Sequence, residues 1–178
     1  VYKRQIKHEK MKSKIFSSLL VSITVLLFSS CIFMGPSIKG NGNVVEETRN
    51  VGSFDEIKAT RGMNVYISQG EEIKVRVEAD ENLLDAIETK VEENTLVVST
   101  SKNIRSSTSK KVYVTLSEVN SIKSTAGSNV YSENQIKAKS LDLAASAGSN
   151  MRLDVDVRRL NVSASAGSNI KLEGRSEE

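Results

Sequence analysis

The sequence predicts an all-β fold, a stacked β-solenoid, on two observations. A seven-residue phrase recurs three times: Ser124-Thr125-Ala126-Gly127-Ser128-Asn129-Val130, Ala145-Ser146-Ala147-Gly148-Ser149-Asn150-Met151 and Ala164-Ser165-Ala166-Gly167-Ser168-Asn169-Ile170. Its glycines stand 21 and then 19 residues apart. Between the repeats, apolar and polar residues alternate along Leu141-Asp142-Leu143 and again from Met151 to Val157. Alternation with period two is the mark of a strand with one buried face. Such a chain presents flat faces and side-chain ladders, so display or binding is its expected role.

In chain order, residues 1–10 read as a non-native or untranslated leader, since Val1-Tyr2-Lys3-Arg4-Gln5 is the translation of a common transposase-based sequencing adapter. Met11 opens a bacterial export signal over residues 11–30. Lys12 and Lys14 form its positive end. Ile15 to Phe28 is an apolar run of 14 residues, short of the roughly 20 that a spanning helix needs. Phe28-Ser29-Ser30-Cys31 then reads as a lipobox, with Cys31 as the lipidation site and residues 31–38 as a tether. Several acyl chains hold a protein firmly to a bilayer, at about 0.8 kcal/mol per buried methylene.

An early copy of the turn lies at Thr60-Arg61-Gly62-Met63-Asn64-Val65, near three periods before Gly127. The material between is less regular. Ile73 to Val77, Thr95 to Val98 and Val112 to Leu116 read as strands. Ala79 to Glu88 reads as a turn or one short helix, and the polar stretch from Ser99 to Lys111 as a loop.

Aligning the repeats yields the inward columns. They are Ile122, Leu143 and Val162; Ser124, Ala145 and Ala164; Ala126, Ala147 and Ala166; Val130, Met151 and Ile170; and Leu153 with Leu172. Small residues beside each Gly-Ser-Asn imply a narrow interior at that corner. Gly takes positive φ without steric cost, and Asn tolerates the left-handed region. Gly62, Asn64, Gly127, Asn129, Gly148, Asn150, Gly167 and Asn169 are therefore expected to form a structural turn ladder, with amides placed to bond rung to rung. A ligand-binding Asn row is the other reading. At the far end, Arg175-Ser176-Glu177-Glu178 matches a second adapter, so the domain is expected over residues 39–174, with residues 175–178 as an adapter-derived tail and the solenoid cut short on that side.

Composition narrows the function. Residues 1–30 hold six of the 25 Lys and Arg but one of the 22 Asp and Glu, so the remainder is net −2. No basic patch for nucleic acid survives that balance. The single His is His8, ahead of the signal, and the single Cys is Cys31. The exported part thus lacks Ser-His-Asp and Cys-His catalysis and the usual zinc ligands. Asp142, Asp154 and Asp156 are interleaved with Arg152, Arg158 and Arg159, as on a solvated strand face rather than a Ca²⁺ site. No catalytic residue, metal or cofactor is expected. Aromatics after Cys31 are Phe33, Phe54, Tyr66, Tyr113 and Tyr131. Tyr66 and Tyr131, each beside a post-turn Val, are candidate ligand contacts; packing beside the corner is their other role.

Four segments carry a family resemblance: Gly40-Asn41-Gly42-Asn43-Val44-Val45, Phe54-Asp55-Glu56-Ile57 leading into Gly62-Met63-Asn64-Val65-Tyr66, Val77-Glu78-Ala79-Asp80-Glu81-Asn82-Leu83-Leu84, and the Gly-Ser-Asn turns. Over about Lys39 to Gly174 the chain resembles the GIN head-domain family of adhesin-like proteins, found on exported proteins and lipoproteins of Bacteroidetes-type bacteria. The resemblance implies a right-handed single-strand parallel β-helix and brings no catalytic residues. Members of the family continue for more coils than are present here. In such bacteria, surface-exported lipoproteins carry acidic residues just after the Cys, and Ile32 to Gly40 has none. A periplasm-facing outer-membrane lipoprotein is expected. Its expected role is a non-catalytic adhesion or binding module for a glycan or envelope protein, or alternatively a structural envelope protein that self-associates through solenoid ends or edges.

Overall fold

Runs rich in Val, Ile, Thr and Tyr favour extended backbone, and strands make up nearly all the regular structure. The computed structural model describes residues 37–177. The strands are β1 (Ser37–Lys39), β2 (Val44–Arg49), β3 (Glu56–Ala59), β4 (Asn64–Gln69), β5 (Lys74–Asp80), β6 (Ile87–Glu92), β7 (Thr95–Thr100), β8 (Asn103–Ser106), β9 (Lys110–Leu116), β10 (Ser121–Ser124), β11 (Asn129–Ser132), β12 (Ile136–Ala145), β13 (Asn150–Ala164) and β14 (Asn169–Ser176). A 3-10 turn at Glu81–Ala86 falls inside the stretch expected to hold a turn or short helix. The signal segment, Cys31 and most of the tether lie outside the described residues.

Twelve strands join in one sheet, in the order β2-β5-β9-β4-β11-β13-β12-β10-β3-β7-β6, with β14 on β13. Two parallel ladders form its centre. The strands before each turn stack as β7, β3, β10, β12 and the second half of β13. The strands after each turn stack as β9, β4, β11, β13 and β14. β13 belongs to both ladders, so the sheet turns back on itself into a nearly closed, barrel-like wrap.

This corrects the expectation of a uniform parallel solenoid. β2 pairs with β5, β5 with β9 and β6 with β7, all antiparallel. Nor do coils fill the three periods between Gly62 and Gly127. β3 and β4 pair directly with β10 and β11, and the intervening chain loops away to build the hairpins and return. The stretch Ser99 to Lys111, expected as a loop, carries β8, which pairs in parallel with β1.

The repeat alignment gives the observed register in four of its five columns. Ile122 faces Leu143 and Leu143 faces Val162; Ser124, Ala145 and Ala164 align, as do Val130, Met151 and Ile170, and Leu153 faces Leu172. Ile122, Leu143, Ala145, Val130, Met151 and Leu153 enter a core with Ile57, Val65, Ile67, Leu96, Val98, Val112 and Val114, and Ile170 and Leu172 pack against it, whereas Val162 and Ala164 at the end of their columns are exposed. Each fully buried aliphatic side chain stabilises the fold by roughly 1.5–3 kcal/mol. The fifth column is wrong. Ala126, Ala147 and Ala166 are exposed, with φ of 51, 51 and 49°. They occupy the first central position of a turn with positive φ at both central residues, the geometry that carries side chains outward at a hairpin-like corner. The inward corner residue is the serine after each glycine.

Candidate binding face

The turn is the same object four times over. Gly62, Gly127, Gly148 and Gly167 each have φ of 71°, and the residue before each is also left-handed. The closing bonds run from Met63 to Thr60, Ser128 to Thr125, Ser149 to Ser146 and Ser168 to Ser165, N–H to carbonyl. Successive turns are laced through the backbone, since the Gly62, Gly127 and Gly148 amides donate to the carbonyls of Ala126, Ala147 and Ala166. Burying a hydroxyl costs stability unless it finds partners. Ser128, Ser149 and Ser168 find theirs in their own turn and in the preceding rung, donating to the carbonyls of Ala59, Ser124 and Ala145 at 2.9, 2.7 and 2.8 Å.

Each strand after a turn then presents two outward rows. The first is asparagine. Asn129 Nδ2 donates to Asn64 Oδ1 at 2.9 Å, Asn150 to Asn129 at 2.9 Å and Asn169 to Asn150 at 3.1 Å. Each interior amide uses one N–H and one carbonyl lone pair, so one donor and one acceptor per rung remain for other partners.

The second row is aromatic. Tyr66 stacks between Tyr113 and Tyr131, with centroids 5.2 and 5.1 Å away and planes inclined by 25°. The Arg76 guanidinium lies 4.2 Å over the far side of Tyr113, a cation–π contact. In register, the row continues past Tyr131 to Arg152 and Lys171. The structure thus brings together Tyr66 and Tyr131, both expected from the sequence, with Tyr113 and Arg76, which were not. The signal for Tyr113 was present, because Val65-Tyr66, Val112-Tyr113 and Val130-Tyr131 are one dipeptide used three times. Since these rings cover one another, what the row offers a ligand is edges and hydroxyls rather than open π faces.

One end of the face is held by Glu78. Its carboxylate accepts from Ser109 Oγ at 2.7 Å, Lys111 Nζ at 3.0 Å and Tyr113 Oη at 3.2 Å. The Ser109 bond, opposed by burial and helped by Lys111 and Tyr113, holds the Glu78 carboxyl below the ordinary range. Burial, then the Glu78 charge, pushes the Tyr113 phenol up. At the other end Ser132, Arg152, Leu153, Asp154 and Glu173 line a shallow groove of about 340 Å³.

A second constellation joins two of the segments that carry the family resemblance, a contact that the sequence reading did not anticipate. Asp80 is 1% exposed and accepts three backbone N–H bonds, from Gly42, Thr108 and Ser109, each at 2.9 Å. Those bonds, the Ser109 one foremost, depress its pKa against the cost of burial. Asn82 Oδ1 accepts from the Asn41 amide, and its Nδ2 donates to the Lys39 carbonyl. The Gly40-Asn41-Gly42-Asn43 and Asp80-Glu81-Asn82 segments are therefore two halves of one clasp. A Cβ on Gly40 would overlap the Asp80 carboxylate.

The acidic residues elsewhere are engaged separately. Asp142 accepts from Asn161, Asp154 from Gln135, and Asp156 makes two bonds with Arg175, which lies within β14. Among the described residues, no three His, Cys, Asp or Glu side chains are grouped to hold a metal ion. No helix there is long and apolar enough to cross a membrane.

The chain belongs to the family described as "Putative auto-transporter adhesin, head GIN domain", which matches residues 53–178. Its fold is similar to that of a "putative adhesin" from Bacteroides fragilis, with TM-score 0.72 and 24% identity over 78% of this chain and 66% of that one. A second "putative adhesin", from Parabacteroides merdae, has TM-score 0.68 and 20% identity over 78% and 59%. A "Putative lipid binding protein" from Parabacteroides distasonis has TM-score 0.64 and 21% identity over 77% and 63%. The chain thus spans less than two thirds of the length of these proteins. No curated protein is similar to it.

Proposed function

We propose that the protein is a non-catalytic binding module of the cell envelope, tethered by a lipid on Cys31 at the periplasmic face of the outer membrane. The observation that carries the binding reading is the pair of outward rows. Four asparagines and three tyrosines are held in register on a rigid parallel sheet, at the same strand spacing, with polar groups left over. Rigid, pre-organised polar surfaces lose little freedom on binding. Membership of an adhesin-like family agrees with this role. Partners of the class expected are a glycan or an envelope protein. The parallel coils from β10 to β14 are read as a right-handed single-strand β-helix, the hand that parallel crossovers adopt almost without exception. Saturable binding of the purified protein on an array of glycans and envelope fractions is the test. Absence of any saturable partner would overturn the reading.

One observation favours a second role, self-assembly within the envelope. Val162 belongs to the inward column yet is 49% exposed, and among the described residues β14 pairs with β13 alone. An apolar column beside a strand edge that no described residue pairs is a surface that further strands, of this chain or of another, can extend.

A further inference from the structure

Resting on the reading that the Asn and Tyr rows are the binding face, we propose that their ligand is a neutral, extended β-1,4-linked glycan lying across the strands. Spacing is the first ground. Neighbouring strands lie about 4.8 Å apart, and the stacked rings repeat at 5.2 and 5.1 Å. An extended β-1,4-linked pyranose chain advances by nearly this distance per sugar, so successive sugars meet equivalent groups on successive rungs. An α-1,4-linked chain coils and loses that register.

Hydrogen-bonding chemistry is the second ground. Alternate sugars of such a chain present opposite edges, and each edge carries hydroxyls. Each interior Asn keeps one free N–H and one free lone pair, and a sugar hydroxyl can donate or accept. Every rung therefore suits either edge. The Tyr113 hydroxyl is committed to Glu78, whereas those of Tyr66 and Tyr131 have no protein partner among the described residues. The four asparagines span roughly 14 Å, the reach of roughly four sugars.

Charge is the third ground. The Asn row carries no charge over four rungs, and the ions around it are largely paired internally: Lys111 with Glu78, Arg76 with Glu46, Lys171 with Glu173. Arg152 lines one groove together with the carboxylates of Asp154 and Glu173. The face offers no field that would draw in an acidic polymer, and a neutral one loses nothing there.

The experiment is calorimetric titration of the protein with a β-1,4-linked glucose hexamer, an α-1,4-linked glucose hexamer and a β-1,4-linked uronic acid hexamer. The expected result is saturable binding of the first alone, strengthening with chain length to roughly four sugars and then levelling. Tyr66→Phe combined with Tyr131→Phe keeps the ring stack, removes two hydroxyls and weakens binding roughly tenfold. Lys58→Ala, on the opposite ladder, leaves binding unchanged. Equal binding of the α-linked hexamer, preference for the acidic hexamer, or full affinity in the double Phe variant would overturn the proposal. If none of these glycans binds while another glycan or envelope protein does, this inference fails and the binding-module reading stands. If nothing binds, both fail.

Discussion

Tyr131 lies against Tyr66 with ring centroids 5.1 Å apart, and the same Tyr66 carries Tyr113 on its other side at 5.2 Å. Three strands remote in sequence are thus joined by one middle ring. Stacked aromatic pairs stabilise by about 0.5–1.5 kcal/mol each beyond area burial. Tyr66→Leu breaks both pairs and is expected to cost about 1–3 kcal/mol in urea unfolding. Tyr66→Phe keeps both and should unfold within about 0.5 kcal/mol of the parent. Equal losses in the two variants would show that the hydroxyl, not the stack, matters.

The turns make an opposite pair of predictions at adjacent positions. Ala147 has φ of 51° and is exposed, a conformation that costs an L residue roughly 1–2 kcal/mol and that Asn tolerates better. Ala147→Asn should therefore stabilise the protein, by up to about 1 kcal/mol. Gly148 has φ of 71° with open space around its missing Cβ. Gly148→Val meets no clash, so its expected cost of about 1–3 kcal/mol is backbone strain alone. Thermal melts of both variants decide the matter, and a Gly148→Val protein that melts with the parent would refute it.

These turns also mark how far the sequence could be read. The repeats exposed strand register well, because Ile122, Leu143 and Val162 alternate with polar residues and period two leaves no ambiguity about the face. At the corner the alternation breaks. Two consecutive left-handed residues rotate Ala126 outward and Ser128 inward, so the small side chain at Ala126 marks an exposed turn position and not a buried one. The hairpins between β4 and β10 were invisible as topology, since Val112 to Leu116 has the same pattern whether its neighbour runs parallel or antiparallel. The Asp80 clasp joins segments far apart in the chain through backbone amides, which leave no trace in side-chain type.

That clasp gives a pH prediction with a definite sign. The folded-state pKa values of Asp80 and Glu78 lie below their ordinary values of 3.8 and 4.5. The unfolded chain therefore binds more protons below those values, and stability falls as the pH is lowered through the folded pKa values. Above the ordinary values the contribution of both groups is complete. Asp80→Asn keeps the size, loses the charge and turns an N–H₂ towards amides, so it should cost about 1–3 kcal/mol at neutral pH and flatten the acid limb of the stability curve. Gly40→Ala, which collides with the same carboxylate, should destabilise at neutral pH also. Denaturant unfolding between pH 2 and 7 checks this, and an unchanged acid limb in Asp80→Asn would remove Asp80 from the account.

The tether is tested independently of the fold. Cys31 follows the apolar run from Ile15 to Phe28, and it is the single thiol of the chain. The parent protein is expected to take up a metabolic acyl probe and to fractionate with outer membrane. Cys31→Ala should lose both properties. Added protease should spare the domain in intact cells if it faces the periplasm, and digestion there would reverse the orientation proposed.

The last prediction concerns β14. Parallel strands stabilise one another only when both edges are paired or covered, and an inward apolar column needs a neighbour on each side. β13 has that neighbour on both sides over Asn150 to Arg152, and the inward Met151 is buried. β14 pairs with β13 alone among the described residues, Ile170 and Leu172 are half-buried, and Val162 is 49% exposed in the adjoining ladder. Two consequences are expected together. Amides around Ile170 exchange faster than those around Met151, because the edge opens without unfolding the rest. A polypeptide of residues 31–178 alone also associates with increasing concentration through this edge, and Val162→Lys, which sets a charge in the exposed column, suppresses the association while leaving the melting temperature nearly unchanged. Hydrogen exchange and light scattering on parent and variant supply both readouts. Equal protection at Ile170 and Met151, with a monodisperse parent at every concentration, would show that β14 is closed by other means and that this end of the sheet is not an assembly surface.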